Sequence, residues 1–378
     1  AYATFSHPDV VGWATLGDVA LLELFHGPTL AFKDVALQLL GRLFEYVLEQ
    51  RGEHLNILGA TSGDTGSAAI AGVRGQPNID IFILYPNHKV SPLQELQMTT
   101  VADDNVHCVA VEGSFDDCQG LMKEIFADLE FKSEFQLGAV NSVNWARVMA
   151  QIVYYGYASL KASQTPSFCV PTGNFGNVFA AFLAREMGFP IGRLLVATNE
   201  NDILARFFDS GEYARGEVHF TLSPAMDIQV ASNFERFLYY YFDQDTERLS
   251  KFMADFQNTG RASIGGPPAV DLMMAVSINT EQTLAAIKHA YEQHNYILDP
   301  HSAVGYAAAG VFAKQVDAPI VCVATAHPAK FPEAVERAIP GVSARHDVLD
   351  ALAGLAQRKQ VIEPTVAAVK EVIRAGVG

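Results

Sequence analysis

Short apolar runs alternate with longer segments of helical periodicity along this chain of 378 residues. The runs are apolar at consecutive positions and rich in β-branched residues, a pattern typical of parallel strands buried on both faces. Six such strands are predicted, at Leu55–Gly59, Ile79–Tyr85, Val106–Val111, Ser167–Pro171, Leu194–Thr198 and Pro319–Ala324. The alternation of strand and helix predicts an α/β fold of open twisted sheets with helices on both faces.

The clearest predicted helix begins near Lys33. Asp34 is predicted to cap this helix and Gly52 to end it. Its apolar stripe, of the kind that faces a core, is predicted to consist of Leu39, Leu40, Leu43, Phe44, Val47 and Leu48. Further helices are predicted at about 67–73, 145–160, 177–187, 280–293 and 302–314. The Gly/Pro-rich stretch Asn258–Pro268 is predicted to be a loop.

The length fits two domains at about 150 residues per domain, yet no linker divides the chain cleanly. A smaller, mobile α/β domain is predicted at 53–160. The larger α/β domain is predicted to comprise 1–52 and 161–378, and so to contain Lys33 and the glycine-rich loop at 171–177.

Charge and cysteine content restrict the partners and the compartment. Lys and Arg number 26 against 42 Asp and Glu, which gives a net charge of −16 and argues against nucleic acid or an anionic membrane as the partner. The four cysteines include no CxxC pair, which predicts a reduced, cytoplasmic compartment. No apolar run reaches the ~18 residues of a membrane span. The first basic residue is Lys33, so no signal peptide is predicted. The absence of HExxH and paired-cysteine patterns predicts no metal site.

Two glycine-rich loops each follow a predicted strand and precede a helix. The first reads Ala-Thr-Ser-Gly-Asp-Thr-Gly over 60–66, and the second reads Pro-Thr-Gly-Asn-Phe-Gly-Asn over 171–177. Loops at the carboxyl ends of parallel strands present backbone N–H groups and a helix N-terminus to an anion. Neither loop has the Walker or the dinucleotide-binding pattern. Either loop alone is equally compatible with an ordinary turn, but two in one chain favour ligand binding.

Lys33 lies in an apolar, Gly/Pro-kinked segment, Phe25–Asp34, just before a helix. Burial and the positive end of the helix are expected to lower the pKa of its ammonium group, which would suit attack on a carbonyl to form a Schiff base. The alternative is a lysine that extends to solvent beside Asp34.

Two further segments carry candidate polar groups. Ser142, Asn144 and Arg147 offer hydroxyl, amide and guanidinium donors that could jointly hold a phosphate. Their alternative is helix capping plus one solvated arginine. Thr325 follows a predicted strand and is expected to project into the same crevice as the glycine-rich loops, whereas the alternative is a hydroxyl satisfied by its own turn.

Five segments of the chain together resemble the threonine synthases, which are pyridoxal-phosphate-dependent enzymes of fold type II with a tryptophan synthase β-like architecture. The segments occur in the order and spacing of that family, and the resemblance covers essentially the whole chain. They are Phe25–Asp34, Thr61–Gly66, Asn141–Arg147, Gly173–Asn177 and Thr325–Phe331. Members of the family carry several tens of residues before the lysine motif. Only 32 residues precede Lys33 here, so the family's N-terminal segment is expected to be absent from this chain.

The resemblance implies a role for each candidate residue. Lys33 would carry the cofactor covalently and later act as acid and base, and Thr325 would face the pyridine nitrogen. Asp64 would lie near the 3′-oxygen of the cofactor. Backbone N–H groups would hold the cofactor phosphate, from Gly173, Asn174, Phe175, Gly176 and Asn177. The substrate would be bound through its carboxylate and its phosphate by Ser62, Gly63, Thr65, Ser142, Asn144 and Arg147.

The implied reaction converts O-phospho-L-homoserine and water to L-threonine and phosphate, by γ-elimination and then hydration at Cβ. It is the last step of threonine biosynthesis, and the enzyme would be a monomer or a homodimer. The principal alternative is a phospho-lyase of the same fold that releases 2-oxobutyrate, ammonia and phosphate. A dehydratase or β-replacement enzyme is disfavoured, because its substrate needs no phosphate site. A ligand-binding protein without catalysis is disfavoured by Lys33 and the two loops.

Overall fold

The computed structural model describes residues 1–8, 10–269 and 272–377. These residues form two compact units. The first unit comprises 1–6, 27–144 and 345–377, and the second comprises 7–26 and 145–344. This division differs from the predicted boundaries at 53 and 160, because it assigns Lys33 to the same unit as the first glycine-rich loop. The mobility expected of the smaller domain stays a prediction.

The described strands are β1 (Gly12–Leu16), β2 (Val19–Glu23), β3 (Leu55–Ala60), β4 (Ile79–Pro86), β5 (Val106–Val111), β6 (Leu137–Gly138), β7 (Ser167–Pro171), β8 (Leu194–Thr198), β9 (Glu212–Ala214), β10 (Arg261–Ser263), β11 (Met273–Ser277), β12 (Ile320–Ala324) and β13 (Gln360–Ile362). The described α-helices are α1 (Lys33–Arg51), α2 (Asp64–Val73), α3 (Pro92–Thr99), α4 (Phe115–Ala127), α5 (Leu129–Glu134), α6 (Trp145–Lys161), α7 (Gly176–Glu186), α8 (Ile203–Ser210), α9 (Phe234–Tyr241), α10 (Thr246–Thr259), α11 (Thr280–His294), α12 (Pro300–Phe312), α13 (Pro332–Ala338), α14 (Asp347–Asp350) and α15 (Val366–Gly376). Short 3₁₀ turns lie at Pro224–Met226 and Pro328–Lys330.

The first unit is built on a parallel sheet in the order β13-β5-β4-β3-β6. Leu58, Phe82 and Leu84 pack with apolar residues of α4, α5 and α15 on one face. Ile83 points to the opposite face, towards Gly66 of α2, because successive side chains of a strand alternate. Helices therefore cover both faces. The chain runs from β3 through β4 to β5 and then returns to β6 on the other side of β3, so the sheet has a topological switch point beside β3.

The second unit is built on a sheet in the order β1-β2-β12-β7-β8-β11, in which β1 is antiparallel and the other neighbours are parallel. A separate pair of short strands joins β9 to β10. The chain runs from β7 through β8 to β11 and then returns to β12 on the other side of β7. The switch point between β7 and β12 therefore places Pro171 and Ala324, the last residues of those strands, at one edge of the sheet.

All six predicted strands are confirmed, each within one residue at either end. The five predicted helices after α1 correspond to α2, α6, α7, α11 and α12. Prediction missed three strands of five residues, β1, β2 and β11, although the hairpin of β1 and β2 carries a signal. The two-residue turn Gly17-Asp18 joins them, and Gly17 has φ of 59°, which suits glycine. The loop predicted at Asn258–Pro268 is wrong in part, because that stretch includes the end of α10 and all of β10.

Helix α1 begins at Lys33 and is ended by Gly52 at φ of 61°, as predicted, but two details differ. Asp34 does not cap the helix. Its carboxylate accepts hydrogen bonds from the backbone N–H and the hydroxyl of Thr29, at 2.8 and 2.6 Å. The predicted stripe is also wrong in part, because Leu43 and Val47 are 39% and 41% exposed.

The buried positions of α1 lie mostly in its first half, where the helix packs closely on α2. A Cβ atom on Gly41 would overlap the carbonyl oxygen of Gly72, so the two helix backbones are nearly in contact. This packing is the physical reason why the segment with Lys33 belongs to the first unit. No helix within the described ranges is both long and apolar enough to cross a membrane.

Candidate active site

Lys33 and Asp64 form a largely buried ion pair in the first unit. The Lys33 Nζ lies 3.6 Å from the Asp64 Oδ2, and the two side chains are 12% and 5% exposed. The structure therefore excludes the alternative of a lysine extended to solvent beside Asp34. Gln94 of α3 holds the carboxylate in place, because its Nε2 donates to the Asp64 Oδ1 at 3.0 Å. Sequence reasoning missed Gln94, which lies 30 residues from Asp64 and carries no local signal.

The glycine-rich loop after β3 is shaped by Thr61. Its hydroxyl donates to the carbonyl oxygen of Gly63 at 2.8 Å and accepts the N–H groups of Gly63 and Gly66 at 3.1 and 3.0 Å. A Cβ atom on Gly63 would lie 2.9 Å from the amide of Gln94, so a larger residue here would displace the side chain that holds Asp64. Ser62 is exposed and Thr65 is half-buried. The loop thus exposes one hydroxyl while it buries the carboxylate of α2.

The turn that leads into Lys33 is strained and firmly held. Leu30 is buried and has φ of 60°, an uncommon conformation for a residue with a bulky side chain. Asp34 closes the turn through Thr29, and the Gln97 Nε2 donates to the Thr29 carbonyl oxygen at 3.1 Å. Strain of this kind persists only where surrounding contacts impose it, and it concentrates at functional sites. The backbone before Lys33 is therefore preorganised.

The three predicted phosphate donors are divided between the units. Ser142 and Asn144 follow β6 in the first unit, whereas Arg147 lies in the first turn of α6 in the second. The Asn141 Oδ1 accepts the N–H of Val143 at 3.1 Å, which makes a local turn of the segment. Ser142 and Asn144 are half-buried.

Arg147 is a buried cation with unpaired donors. Its side chain is 5% exposed, and neither its Nε nor its Nη1 has a hydrogen-bond partner among the described residues. Burial lowers the pKa of its guanidinium to about 10. The alternative of a solvated arginine is therefore wrong. A buried guanidinium with two such donors suits an anionic ligand, since leaving them unpaired is costly.

The glycine-rich loop after β7 forms a cradle for an anion. Within the described part of the chain, the backbone N–H groups of residues 173–177 donate no hydrogen bond to the protein. Phe175 adopts φ of 64° at the start of α7 and is held there by ring contacts with Phe234 and Phe237, with centroids 5.1 and 5.6 Å apart. A Cβ atom on Gly173 would lie 2.8 Å from the carbonyl oxygen of Ala225. Unpaired amides at a helix N-terminus are a favourable site for a phosphate.

Asn174 and Asn177 complete this cradle. The Asn174 carbonyl oxygen accepts the backbone and side-chain N–H groups of Asn233, at 3.0 and 3.1 Å. The Asn177 Oδ1 accepts the hydroxyls of Tyr154 and Tyr155, at 2.5 and 2.8 Å. Burial raises the pKa of both tyrosines, so they remain protonated donors. The Nδ2 of Asn177 is buried and has no partner among the described residues, which leaves a donor for a ligand.

Thr325 lies directly after β12, at the same edge of the sheet as the loop after β7. Its backbone N–H donates to the Ser302 Oγ at 2.9 Å. The Thr325 hydroxyl has no hydrogen-bond partner among the described residues. The alternative of a hydroxyl satisfied by its own turn therefore does not hold. The structure thus brings the predicted pyridine partner and the predicted phosphate cradle to one edge of one sheet.

Comparison with known proteins places these features in a family. Residues 16–251 match the family model for pyridoxal-phosphate dependent enzymes, and residues 302–373 match the model for the C-terminal part of threonine synthase. A threonine synthase of Pseudomonas aeruginosa is 49% identical over 344 residues, which cover 89% of this chain and 73% of that relative. The chain belongs to the threonine synthase family.

Solved structures of threonine synthases have the same fold. The enzyme from Brucella melitensis, with pyridoxal phosphate bound, has a TM-score of 0.95 at 45% identity, over 99% of this chain and 82% of that chain. The enzyme from yeast has a TM-score of 0.94 at 41% identity, over 100% of this chain and 82% of that chain. The predicted family, the α/β fold of type II and the pyridoxal phosphate cofactor are thereby confirmed.

The residues of this threonine synthase family member fit that cofactor. A phosphate requires a set of unpaired donors, and residues 173–177 supply one. The carbonyl carbon of the cofactor requires a lysine that is shielded from water for covalent attachment, and Lys33 is largely buried. Thr325 has a hydroxyl available for a ring nitrogen. Among the described residues, no group of three or more His, Cys, Asp or Glu side chains could hold a metal ion.

Proposed function

We propose that the chain is a threonine synthase that converts O-phospho-L-homoserine and water to L-threonine and phosphate. The observation that carries this proposal is the buried guanidinium of Arg147, whose Nε and Nη1 lack a partner among the described residues. A buried cation with unpaired donors suits a substrate that bears a phosphate, and substrates of dehydratases of the same fold have none. Relatives named threonine synthase at 43–49% identity support the same activity.

Four parts of the chain are proposed to hold the cofactor. Lys33 would be linked to its carbonyl carbon, and Thr325 would donate to or accept from the pyridine nitrogen. Asp64 would lie near the 3′-oxygen, where its contact with Lys33 at 3.6 Å supplies a neighbouring cation. The phosphate would be bound by the unpaired N–H groups of residues 173–177. When bound, the cofactor withdraws electrons from the substrate and so makes its α- and β-protons easier to remove.

Lys33 is proposed to carry the proton transfers. Its Nζ would take the α-proton of the substrate and return a proton at a later step. Asp64 would orient the ammonium group and stabilise its charge, since the carboxylate is itself held by Gln94 at 3.0 Å. The fixed backbone of the turn before Lys33 would keep the Nζ within reach of the reacting carbon.

The substrate is proposed to be bound at both of its ends. Ser62, Gly63 and Thr65 would bind its carboxylate, and Ser142, Asn144 and Arg147 would bind its phosphate. The net charge of −16 supports a small-molecule substrate rather than nucleic acid. The cytoplasmic location and assembly as a monomer or a homodimer stay predictions from the sequence.

The phospho-lyase alternative would use the same residues, and the two activities differ only in their products. The test is incubation of the protein loaded with pyridoxal phosphate with O-phosphohomoserine, and quantification of phosphate, threonine and 2-oxobutyrate together. Phosphate matched by threonine is expected. Phosphate matched by 2-oxobutyrate would favour the phospho-lyase, and absence of phosphate release would contradict both activities. Lys33→Ala serves as the inactive control.

A further inference from the structure

A buried polar cluster lies at the start of α12, apart from the residues proposed to contact the cofactor or the substrate. Asp299, His301 and Ser302 are 0%, 4% and 1% exposed. Asp299 caps the helix, because its carboxylate accepts the backbone N–H groups of His301 and Ser302 at 2.9 and 3.2 Å. Such capping satisfies the helix terminus by itself. It requires nothing of the side chains at positions 301 and 302.

Both of those side chains nevertheless bond to the same carboxylate. The His301 Nδ1 lies 3.0 Å from the Asp299 Oδ1, and the hydroxyl of Ser302 contacts the Asp299 Oδ2. Each side chain also accepts a hydrogen bond from a backbone N–H group. The His301 Nε2 accepts from Ala225 at 3.2 Å, and the Ser302 Oγ accepts from Thr325 at 2.9 Å. A backbone N–H can only donate, so both side chains accept there and donate their own hydrogens to Asp299.

One of the two backbone N–H groups directly follows β12, and the other belongs to a turn that packs against the loop after β7. Thr325 directly follows β12. Ala225 belongs to the 3₁₀ turn Pro224–Met226. Its carbonyl oxygen would lie 2.8 Å from a Cβ atom on Gly173, which is the first residue of the phosphate cradle after β7. One buried carboxylate thus orients two side chains, and each side chain fixes the backbone next to one part of the ligand edge.

We propose that Asp299, His301 and Ser302 are positioning residues for the cofactor. Ser302 fixes the backbone of Thr325 and so the position of its hydroxyl relative to the pyridine nitrogen. His301 fixes the turn that supports Gly173 and so the shape of the phosphate cradle. Asp299 holds both side chains in the orientation in which they accept. This inference rests on the proposed placement of the cofactor phosphate and ring in the second unit.

The test uses the loaded enzyme with pyridoxal phosphate that carries ¹⁵N in its ring, and NMR of the ring nitrogen and of the cofactor phosphorus. Ser302→Ala should shift the ¹⁵N resonance and leave the ³¹P resonance unchanged. His301→Phe, which keeps an aromatic ring against Phe331, should shift the ³¹P resonance and leave the ¹⁵N resonance unchanged. Asp299→Asn should shift both. Each variant should also weaken cofactor binding about tenfold, the effect of one hydrogen bond of about 1.4 kcal/mol.

Two controls separate positioning from general loss of stability. Ser159→Ala removes another buried hydroxyl of the second unit, which donates to the carbonyl oxygen of Gly156 at 2.9 Å, and it should shift neither resonance. Ser302→Thr keeps the hydroxyl and should restore the wild-type ¹⁵N resonance. If Ser302→Ala and His301→Phe shift both resonances equally, or shift neither, the proposal is wrong. If the wild-type protein fails to bind pyridoxal phosphate, the proposed function itself is wrong. That result is seen in the wild type, whereas failure of the positioning proposal is seen only in the variants.

Discussion

Replacement of Arg147 by methionine should make the substrate-free protein more stable. Burial lowers the pKa of Arg147 from its ordinary value to about 10. At about 1.4 kcal/mol for each tenfold change in proton affinity, the charged side chain is disfavoured in the folded state by about 3 kcal/mol. Because the pKa is lower in the folded state than in the unfolded state, this penalty is present at every pH below about 10. Methionine fills a similar space without charge, so a gain of about 1–3 kcal/mol in the free energy of unfolding is expected.

The same substitution should weaken substrate binding. Charge-assisted hydrogen bonds contribute about 1.5–3 kcal/mol each, so loss of the guanidinium should raise the KM for O-phosphohomoserine about 10- to 100-fold. The affinity for the cofactor should not change, because its phosphate is assigned to residues 173–177. A variant that gains stability while it loses substrate affinity would identify Arg147 as a residue retained for binding rather than for folding.

The assay is urea unfolding of the loaded enzyme with and without inorganic phosphate, together with steady-state kinetics. Phosphate should stabilise the wild type more than Arg147→Met, since a ligand stabilises only the protein that binds it. Arg185→Met, at an exposed position near the end of α7, is the matched control and should change neither quantity. A loss of about 3–5 kcal/mol for Arg147→Met without phosphate would refute the reasoning, because it would mean that the arginine is paired in the free protein.

Three further outcomes are expected. Lys33→Ala should abolish both turnover and the visible absorption of the covalently bound cofactor, and a variant that keeps either would contradict the assignment. Gly173→Ala should lower cofactor affinity in titrations of the apoprotein, because its Cβ would lie 2.8 Å from a backbone oxygen that cannot move aside easily. Burial acts to raise the pKa of Asp80, but His107 and His54, with Nε2 atoms 3.6 and 2.8 Å from the carboxylate, outweigh it and the pKa is lowered. The ionised carboxylate therefore adds stability above its ordinary pKa of 3.8 that is lost as the pH falls further, and Asp80→Asn should flatten that loss in acid titrations.

Long buried strands could be predicted from the sequence because each carries its own signal. Strands such as β4 and β5 are apolar at almost every position, a pattern that few other local structures share. Four of the missed strands, β6, β9, β10 and β13, have only two or three residues, too few for a period to appear. They are strands because a neighbouring strand offers hydrogen bonds, as β3 does for β6, and that neighbour is distant in sequence.

The site was predictable where its chemistry is local and not where it depends on distant partners. The glycine-rich loops and Lys33 lie within short segments whose composition is informative. Gln94 and Ser302 act on Asp64 and Thr325 across 30 and 23 residues, so no local pattern announces them. The predicted helix cap at Asp34 was wrong because its carboxylate binds elsewhere. Thr29 offers it two hydrogen-bond donors, which the helical pattern alone does not reveal.

The close packing of α1 on α2 has a consequence for the evolution of the family. A side chain at Gly41 would strike the carbonyl oxygen of Gly72, and one at Gly72 would come within 2.6 Å of the carbonyl oxygen of Leu37. Both obstacles are backbone atoms, which no second substitution can make smaller. Compensating pairs of mutations are therefore closed to these two positions, and any relative that retains this helix spacing, natural or designed, should carry glycine at both.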